Sequence, residues 1–104
     1  MTDAELLWLG ERELAQGDPA KAAAYLKPVQ QGRDGTVLTD RAHAIYLTGK
    51  AHRQLGSYED AANAFQHVIA LGKGHDLQAR LQLAKTLRDQ KHDDEALAEY
   101  AGLI

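Results

Sequence analysis

The feature that most constrains this fold is a spacing of small residues that recurs along the 104-residue chain. In GKAHRQLGSYEDAANAF a second glycine follows the first by seven residues, an alanine comes five later, and a large apolar residue four later. GERELAQGDPAKAAAYL has the same spacing, while AKTLRDQKHDDEALAEY keeps only the alanine and the large residue. The copies begin at Gly10, Gly49 and Ala84, which are 39 and 35 residues apart.

Each copy predicts a helix, a tight turn and a second helix. In the first copy the helix should end near Gly17, after which Asp18 offers an N-cap oxygen and Pro19 takes the first helical position. In the second copy, Ser57 and Asp60 predict a start of the capping-box type. Six helices are therefore predicted, at approximately residues 3–16, 19–31, 40–54, 58–71, 76–90 and 93–103.

The small residues predict how these helices pack. Gly10 and Gly49 should let paired helices approach closely, with Leu26 and Phe65 filling the space further along. A single hairpin cannot bury its apolar face alone, so neighbouring hairpins must stack. Between hairpins, residues 30–39 predict a flexible spacer rather than a functional loop, and Asp76 is predicted to cap the fifth helix.

Composition narrows the class of protein. One domain is expected at this length, and a net charge of −3 gives no general attraction to nucleic acid or to an anionic membrane. The chain has no cysteine, which excludes disulfides and thiolate chemistry. The acidic start does not fit a signal peptide, and no segment has the ~20 apolar residues of a membrane span. We expect a soluble cytoplasmic protein that neither binds nucleic acid nor inserts into a membrane.

The sequence offers no recognisable catalytic site. Neither Gly-Lys pair has the upstream glycine and the following Ser or Thr of a phosphate-binding loop. The five histidines are never three or four residues apart, so no metal pair lies on one helix face. The only serine, Ser57, is assigned to a helix start. We therefore predict no catalytic residues, no metal and no cofactor, and expect that the protein is not an enzyme.

The repeated spacing resembles the tetratricopeptide repeat, whose usual length is ~34 residues. The second copy matches best, through Gly49, Gly56, Tyr58, Ala61 and Phe65. The resemblance implies an all-α solenoid, a right-handed superhelical array of three helix-turn-helix hairpins. Residues 1–104 would be a single domain with repeats at approximately 3–36, 42–75 and 77–104. It also implies an adaptor or scaffold that binds a peptide or protein segment in a concave groove.

The resemblance further implies that the first helix of each repeat lines this groove. The implied peptide-binding residues are Leu7, Glu11, His43, Tyr46, Lys50, Arg53, Leu81, Lys85 and Arg88. Four of them are basic in an acidic chain, while Leu7, Tyr46 and Leu81 would form an apolar strip. The hypothesis is a ligand with acidic groups or a terminal carboxylate, and the alternative is an ordinary solvated face.

The last hairpin predicts an apolar edge. The residues expected there are Leu97, Tyr100, Leu103 and Ile104. Arrays of this kind are commonly closed by a helix with a polar outer face, which is not evident in this sequence. Three interpretations remain open: a fragment of a longer array, an edge that self-associates, or an edge softened by disorder. Self-association makes a homo-oligomeric scaffold, through this edge or through the groove, the alternative function.

Overall fold

The computed structural model describes residues 1–103, which contain six α-helices and no β-strand. The all-α prediction is confirmed, and the third helix begins two residues before its predicted start at residue 40. Within the described residues, no helix has both the length and the apolar character needed to cross a membrane. The helices are α1 Asp3–Ala15, α2 Pro19–Gln31, α3 Leu38–Gln54, α4 Tyr58–Leu71, α5 Asp76–Asp89 and α6 Asp93–Ala101.

The turn inside each hairpin is closed by the same backbone hydrogen bond. An amide donates to the carbonyl five residues earlier, at 2.8 Å in each hairpin: Asp18 to Glu13, Ser57 to His52, and His92 to Leu87. This is the Schellman pattern, which needs a residue of left-handed backbone conformation just before the donor. Gly17, Gly56 and Lys91 hold these positions, with φ of 81°, 78° and 65°. The third hairpin therefore forms the same turn without a glycine.

Of three predicted helix caps, one forms and two do not. Asp18 caps α2 as expected, because its Oδ1 accepts a hydrogen bond from the Lys21 amide at 3.1 Å. Ser57 holds the N-cap position of α4 but makes no side-chain cap bond, so the capping-box prediction is wrong. With similar ψ angles at the two caps, 76° and 68°, the serine side chain is one bond shorter than that of Asp18. Asp76 does not cap α5 either: it is the first helical residue, and its buried Oδ1 has no hydrogen-bond partner.

The predicted close approach of paired helices is confirmed. A β-carbon placed on Gly10 would lie 2.5 Å from Leu26 Cδ2, and one placed on Gly49 would lie 2.7 Å from Phe65 Cε1. Both large side chains are fully buried. In each of these two hairpins, the large side chain of the second helix therefore fills the space beside the glycine of the first helix, where no other side chain would fit.

The hairpins pack in a row, and the odd and even helices have different neighbours. Each helix packs on the next in sequence, α1 also contacts α3, and α3 also contacts α5. Among residues 1–103 there are no such contacts between α2 and α4 or between α4 and α6. The described chain measures 42 × 27 × 18 Å. Two apolar clusters form the core, one mainly between the first two hairpins and one mainly between the last two, with Tyr46 packed against both.

The connector between the first two hairpins is attached to α1 rather than free. Helix α2 ends at Gln31, as predicted, and because α3 begins at Leu38 the irregular part of the connector is two residues shorter than predicted. Arg33 Nε donates to Asp3 Oδ1 and the Thr36 hydroxyl donates to Asp3 Oδ2, both at 2.7 Å. The hydrogen bond from Thr36 is the main reason that the pKa of Asp3 is lowered. The prediction of a simple flexible spacer is therefore not supported for this segment.

Candidate binding groove

Helices α1, α3 and α5 lie side by side, and two adjoining depressions open along them. One has a volume of about 340 Å³ and lies between α1 and α3; the other, of about 360 Å³, lies between α3 and α5. Lys50 and Gln54 line both, which joins them into one surface that we call the groove. Its lining residues are Glu11, Leu14, Ala15, His43, Tyr46, Leu47, Lys50, Arg53, Gln54, Tyr58, Gln82 and Asp89.

The structure brings part of the predicted set together. The predicted residues that line the groove are Glu11, His43, Tyr46, Lys50 and Arg53. Leu81, Lys85 and Arg88 line neither depression, and Arg88 lines a separate cavity between α5 and α6. The contribution of α5 comes instead from Gln82 and Asp89.

Leu7 does not face the groove. Its side chain is 7% exposed and belongs to the apolar cluster between the first two hairpins, which also contains Leu47. The equivalent side chain of the second hairpin, Tyr46, is half-buried, whereas that of the third, Leu81, is 37% exposed. Exposure at this position depends on whether a following hairpin covers it. The predicted apolar strip is therefore not formed, and only Tyr46 contributes apolar surface from it.

One of the four predicted bases is already paired. Arg53 donates from Nε and Nη2 to Asp89 Oδ2, at 3.1 and 2.9 Å, and from Nη1 to Gln82 Oε1 at 3.0 Å. These bonds tie α3 to α5 and fix the floor of the second depression. Lys50 has a different partner, since its Nζ lies 5.7 Å from the centroid of the Tyr46 ring. Within residues 1–103 Lys50 forms no ion pair, so it is the groove's available cation.

Aromatic side chains form a column at one end of the groove. The rings of His43 and His75 stack with centroids 4.7 Å apart, and those of Tyr46 and His75 are 5.3 Å apart. His43 Nε2 lies 2.8 Å from Glu11 Oε1, which links the column to α1. Burial raises the pKa of Tyr46, so its phenol stays neutral at physiological pH. His75 holds a left-handed backbone conformation at φ 63°.

The His75 column predicts a pH-dependent stability. Burial, and then the charge of His43, lower the pKa of His75 from an ordinary value of 6.5. The unfolded chain therefore takes up a proton near pH 6.5 that the folded chain resists. The stability contributed by neutral His75 is fully present above pH 6.5 and is lost as the pH falls towards the lowered pKa of the folded state. We expect His75→Asn, which tolerates the left-handed conformation, to reduce this loss in urea melts at stepwise pH. The exposed His67→Asn serves as the control, and an unchanged profile in His75→Asn contradicts the assignment.

Sequence reasoning did not assign Gln82 to the groove or His75 to the aromatic column at its end. His75 lies just before α5 in the break between hairpins, where helix periodicity gives no direction. Gln82 lies on the side of α5 that packs towards α3, and its role depends on Arg53. Within residues 1–103, no group of three or more His, Cys, Asp or Glu side chains is placed to hold a metal ion. Besides the Arg53–Asp89 and His43–Glu11 pairs, the groove presents amides, one lysine and aromatic rings.

The six helices of residues 1–103 pair into three hairpins, which makes this an all-α protein with a groove on its odd-numbered helices. The chain belongs to the family described as "Uncharacterized protein conserved in bacteria (DUF2225)", whose model matches residues 15–93. These residues extend from the end of α1 to the start of α6 and include most of the groove. No curated protein and no solved structure matched the chain.

Proposed function

We propose that this protein is a non-enzymatic interaction module of the tetratricopeptide type, which binds an extended peptide in the groove. The observation that carries the proposal is the two-sided packing: odd helices contact one another in a row, while even helices do not. In a curved array, the helices that meet on one side form the inner surface. The identical hairpin turns and the close contacts at Gly10 and Gly49 support assignment of the three hairpins as equivalent repeats.

The side chains of the groove suit a peptide with an acidic group. Lys50 lies between the two depressions and supplies a positive charge at the centre of the groove. Gln54 Nε2 already donates to the Leu14 carbonyl at 3.3 Å, and Gln82 Oε1 already accepts from Arg53, so we assign bonds to peptide backbone to Gln54 Oε1 as acceptor and Gln82 Nε2 as donor. Tyr46 adds a half-buried ring for an apolar ligand side chain. Because Arg53 is paired with Asp89, we assign recognition of the carboxylate to Lys50 rather than to a ridge of four bases.

The test is selection of peptides from a random displayed library, followed by fluorescence anisotropy with a synthesised winner. We expect enrichment of acidic residues or of a free terminal carboxylate. Lys50→Glu should weaken binding by about ten- to a hundredfold, since a hydrogen bond to a charged group contributes about 1.5–3 kcal/mol. When the peptide is titrated into the protein, the backbone-amide NMR signals that change position should belong to residues of α3 and α5.

Lys27→Glu is the matched control, because it makes the same charge change at an exposed position on α2. It should bind the selected peptide as tightly as the unmodified protein. Shifts confined to α2 and α4, or equal losses in the two variants, would remove the support for the groove as the binding site.

A further inference from the structure

The third hairpin exposes apolar side chains at positions that are buried or half-buried in the other hairpins. Leu7 in the first hairpin is 7% exposed, and its equivalent Leu81 is 37% exposed. Ala62 in the second hairpin is 8% exposed, and its equivalent Leu97 is 66% exposed. The first two hairpins are covered here by the hairpin that follows, whereas no described helix covers the third. Of the predicted edge, Tyr100 and Leu103 are half-buried, and Ile104 lies outside the described residues.

This face carries a cavity and two unpaired charges of opposite sign. An apolar cavity of about 210 Å³ opens between α5 and α6. Among the described residues, neither Arg88 nor Asp93, which both line it, has an ion-pair partner. A suitable partner must supply an apolar side chain together with charges of both signs. We call this surface the outer face; its residues are Leu81, Arg88, Asp93, Ala96, Leu97 and Tyr100.

We propose that the outer face binds the outer face of a second copy of this chain, across a two-fold axis. Leu97, beside the cavity, supplies the apolar side chain that enters the cavity of the other copy. Arg88 of each copy then faces Asp93 of the other. A two-fold interface uses the same patch on both chains, so a patch with one cavity, one adjacent leucine and one charge of each sign is self-complementary. This pairing is independent of the groove and gives the homo-oligomeric scaffold a defined surface.

The opposite end of the chain does not fit the outer face equally well. The first hairpin has on its free side Glu5, Trp8 and Arg12. The equivalent positions of α3, where it packs on the first hairpin, hold Ala44, Leu47 and Ala51, all at most 4% exposed. Alanine lets neighbouring helices approach closely, whereas glutamate and arginine would bring buried charge and bulk into the same place. A head-to-tail stack that repeats the internal packing is thus disfavoured relative to the two-fold pair.

Sedimentation velocity of residues 1–104, from micromolar to millimolar concentration, tests the proposal. We expect a monomer that converts to a species of two chains and no larger. Leu97→Glu should raise the dissociation constant by about tenfold or more, because it removes one buried apolar side chain at each half of the interface. Leu55→Glu is the control: Leu55 is a 50% exposed leucine at the end of α3, and its replacement should leave the dissociation constant unchanged.

A charge exchange tests the symmetry. Arg88→Glu and Asp93→Lys should each weaken pairing, and the double variant should regain at least part of the loss, because each new charge meets its opposite across the axis. Circular dichroism confirms that each variant is folded. The proposal is overturned by a monomer at every concentration, by species that keep growing as in a head-to-tail stack, or by a double variant no better than the weaker single one.

Discussion

Replacing Phe65 by alanine is expected to destabilise the protein by about 3–5 kcal/mol, the usual range for a fully buried phenylalanine. Phe65 is 0% exposed in the cluster between the last two hairpins. Its ring also lies 5.9 Å from that of Tyr46, centroid to centroid. The substitution removes buried apolar area and leaves a cavity beneath a groove residue. A domain of this size has a free energy of unfolding of about 5–15 kcal/mol, so much of its stability depends on this side chain.

Urea unfolding, monitored by circular dichroism, measures the loss of stability in Phe65→Ala. The matched control is Leu77→Ala, because Leu77 is 67% exposed on α5 and its truncation should change stability by less than about 0.5 kcal/mol. Phe65→Leu keeps most of the apolar volume and should fall between the two. If Phe65→Ala is as stable as Leu77→Ala, then Phe65 is not the centre of the packing between these hairpins.

The second large effect is expected at Gly49, where even one added methyl group has no room. An alanine β-carbon would lie 2.7 Å from Phe65 Cε1 and 3.0 Å from two other ring atoms. The Phe65 ring is fully buried, so relief requires displacement of a packed side chain or of the helix. Such overpacking lowers the free energy of unfolding by about 1–3 kcal/mol. The better helix propensity of alanine offsets up to about 1 kcal/mol of this loss.

A double-mutant cycle identifies the cause of that loss. In Gly49→Ala combined with Phe65→Leu, the smaller side chain gives the new methyl group space, so the combined loss should be smaller than the sum of the separate losses. Gly102→Ala is the control, because its β-carbon would lie 3.5 Å from the Glu99 carbonyl oxygen and 3.6 Å from that of Ala98, which are ordinary contact distances. Strictly additive losses would show that Gly49 acts through something other than contact with Phe65.

The internal repeat made much of the fold predictable. The recurring spacing marked the six helices and identified Gly10 and Gly49 as points of close approach. It placed Leu26 and Phe65 further along the hairpins, whereas in the structure these side chains lie directly against the two glycines. Periodicity succeeds here because a side chain's direction on a helix follows from its place in the sequence. Helix caps were less predictable: Asp18 makes its bond and Ser57 does not, because a cap depends on the backbone angles of the cap residue together with the reach of its side chain.

The candidate groove was predictable only in part. The family resemblance implied groove positions for Glu11, His43 and Lys50, and these residues line one of the two depressions. It did not show that Arg53 would bond Asp89 and Gln82, because that depends on the distance between α3 and α5. It also did not show the position of His75, which lies between helices and stacks on His43 and Tyr46 at the end of the groove.

By itself the sequence determined the number of helices, the pairing into hairpins and the small residues at which paired helices meet. These features depend on spacing within about 20 residues, where helix geometry relates sequence position directly to direction in space. Only the tertiary structure decided that Leu7 is buried and that Leu81 and Leu97 are exposed. It also decided that, within residues 1–103, Lys50 forms no ion pair while Arg53 pairs with Asp89. The physical reason is coverage: equivalent residues of a repeat point the same way, but which of them meets water depends on whether another hairpin packs over it.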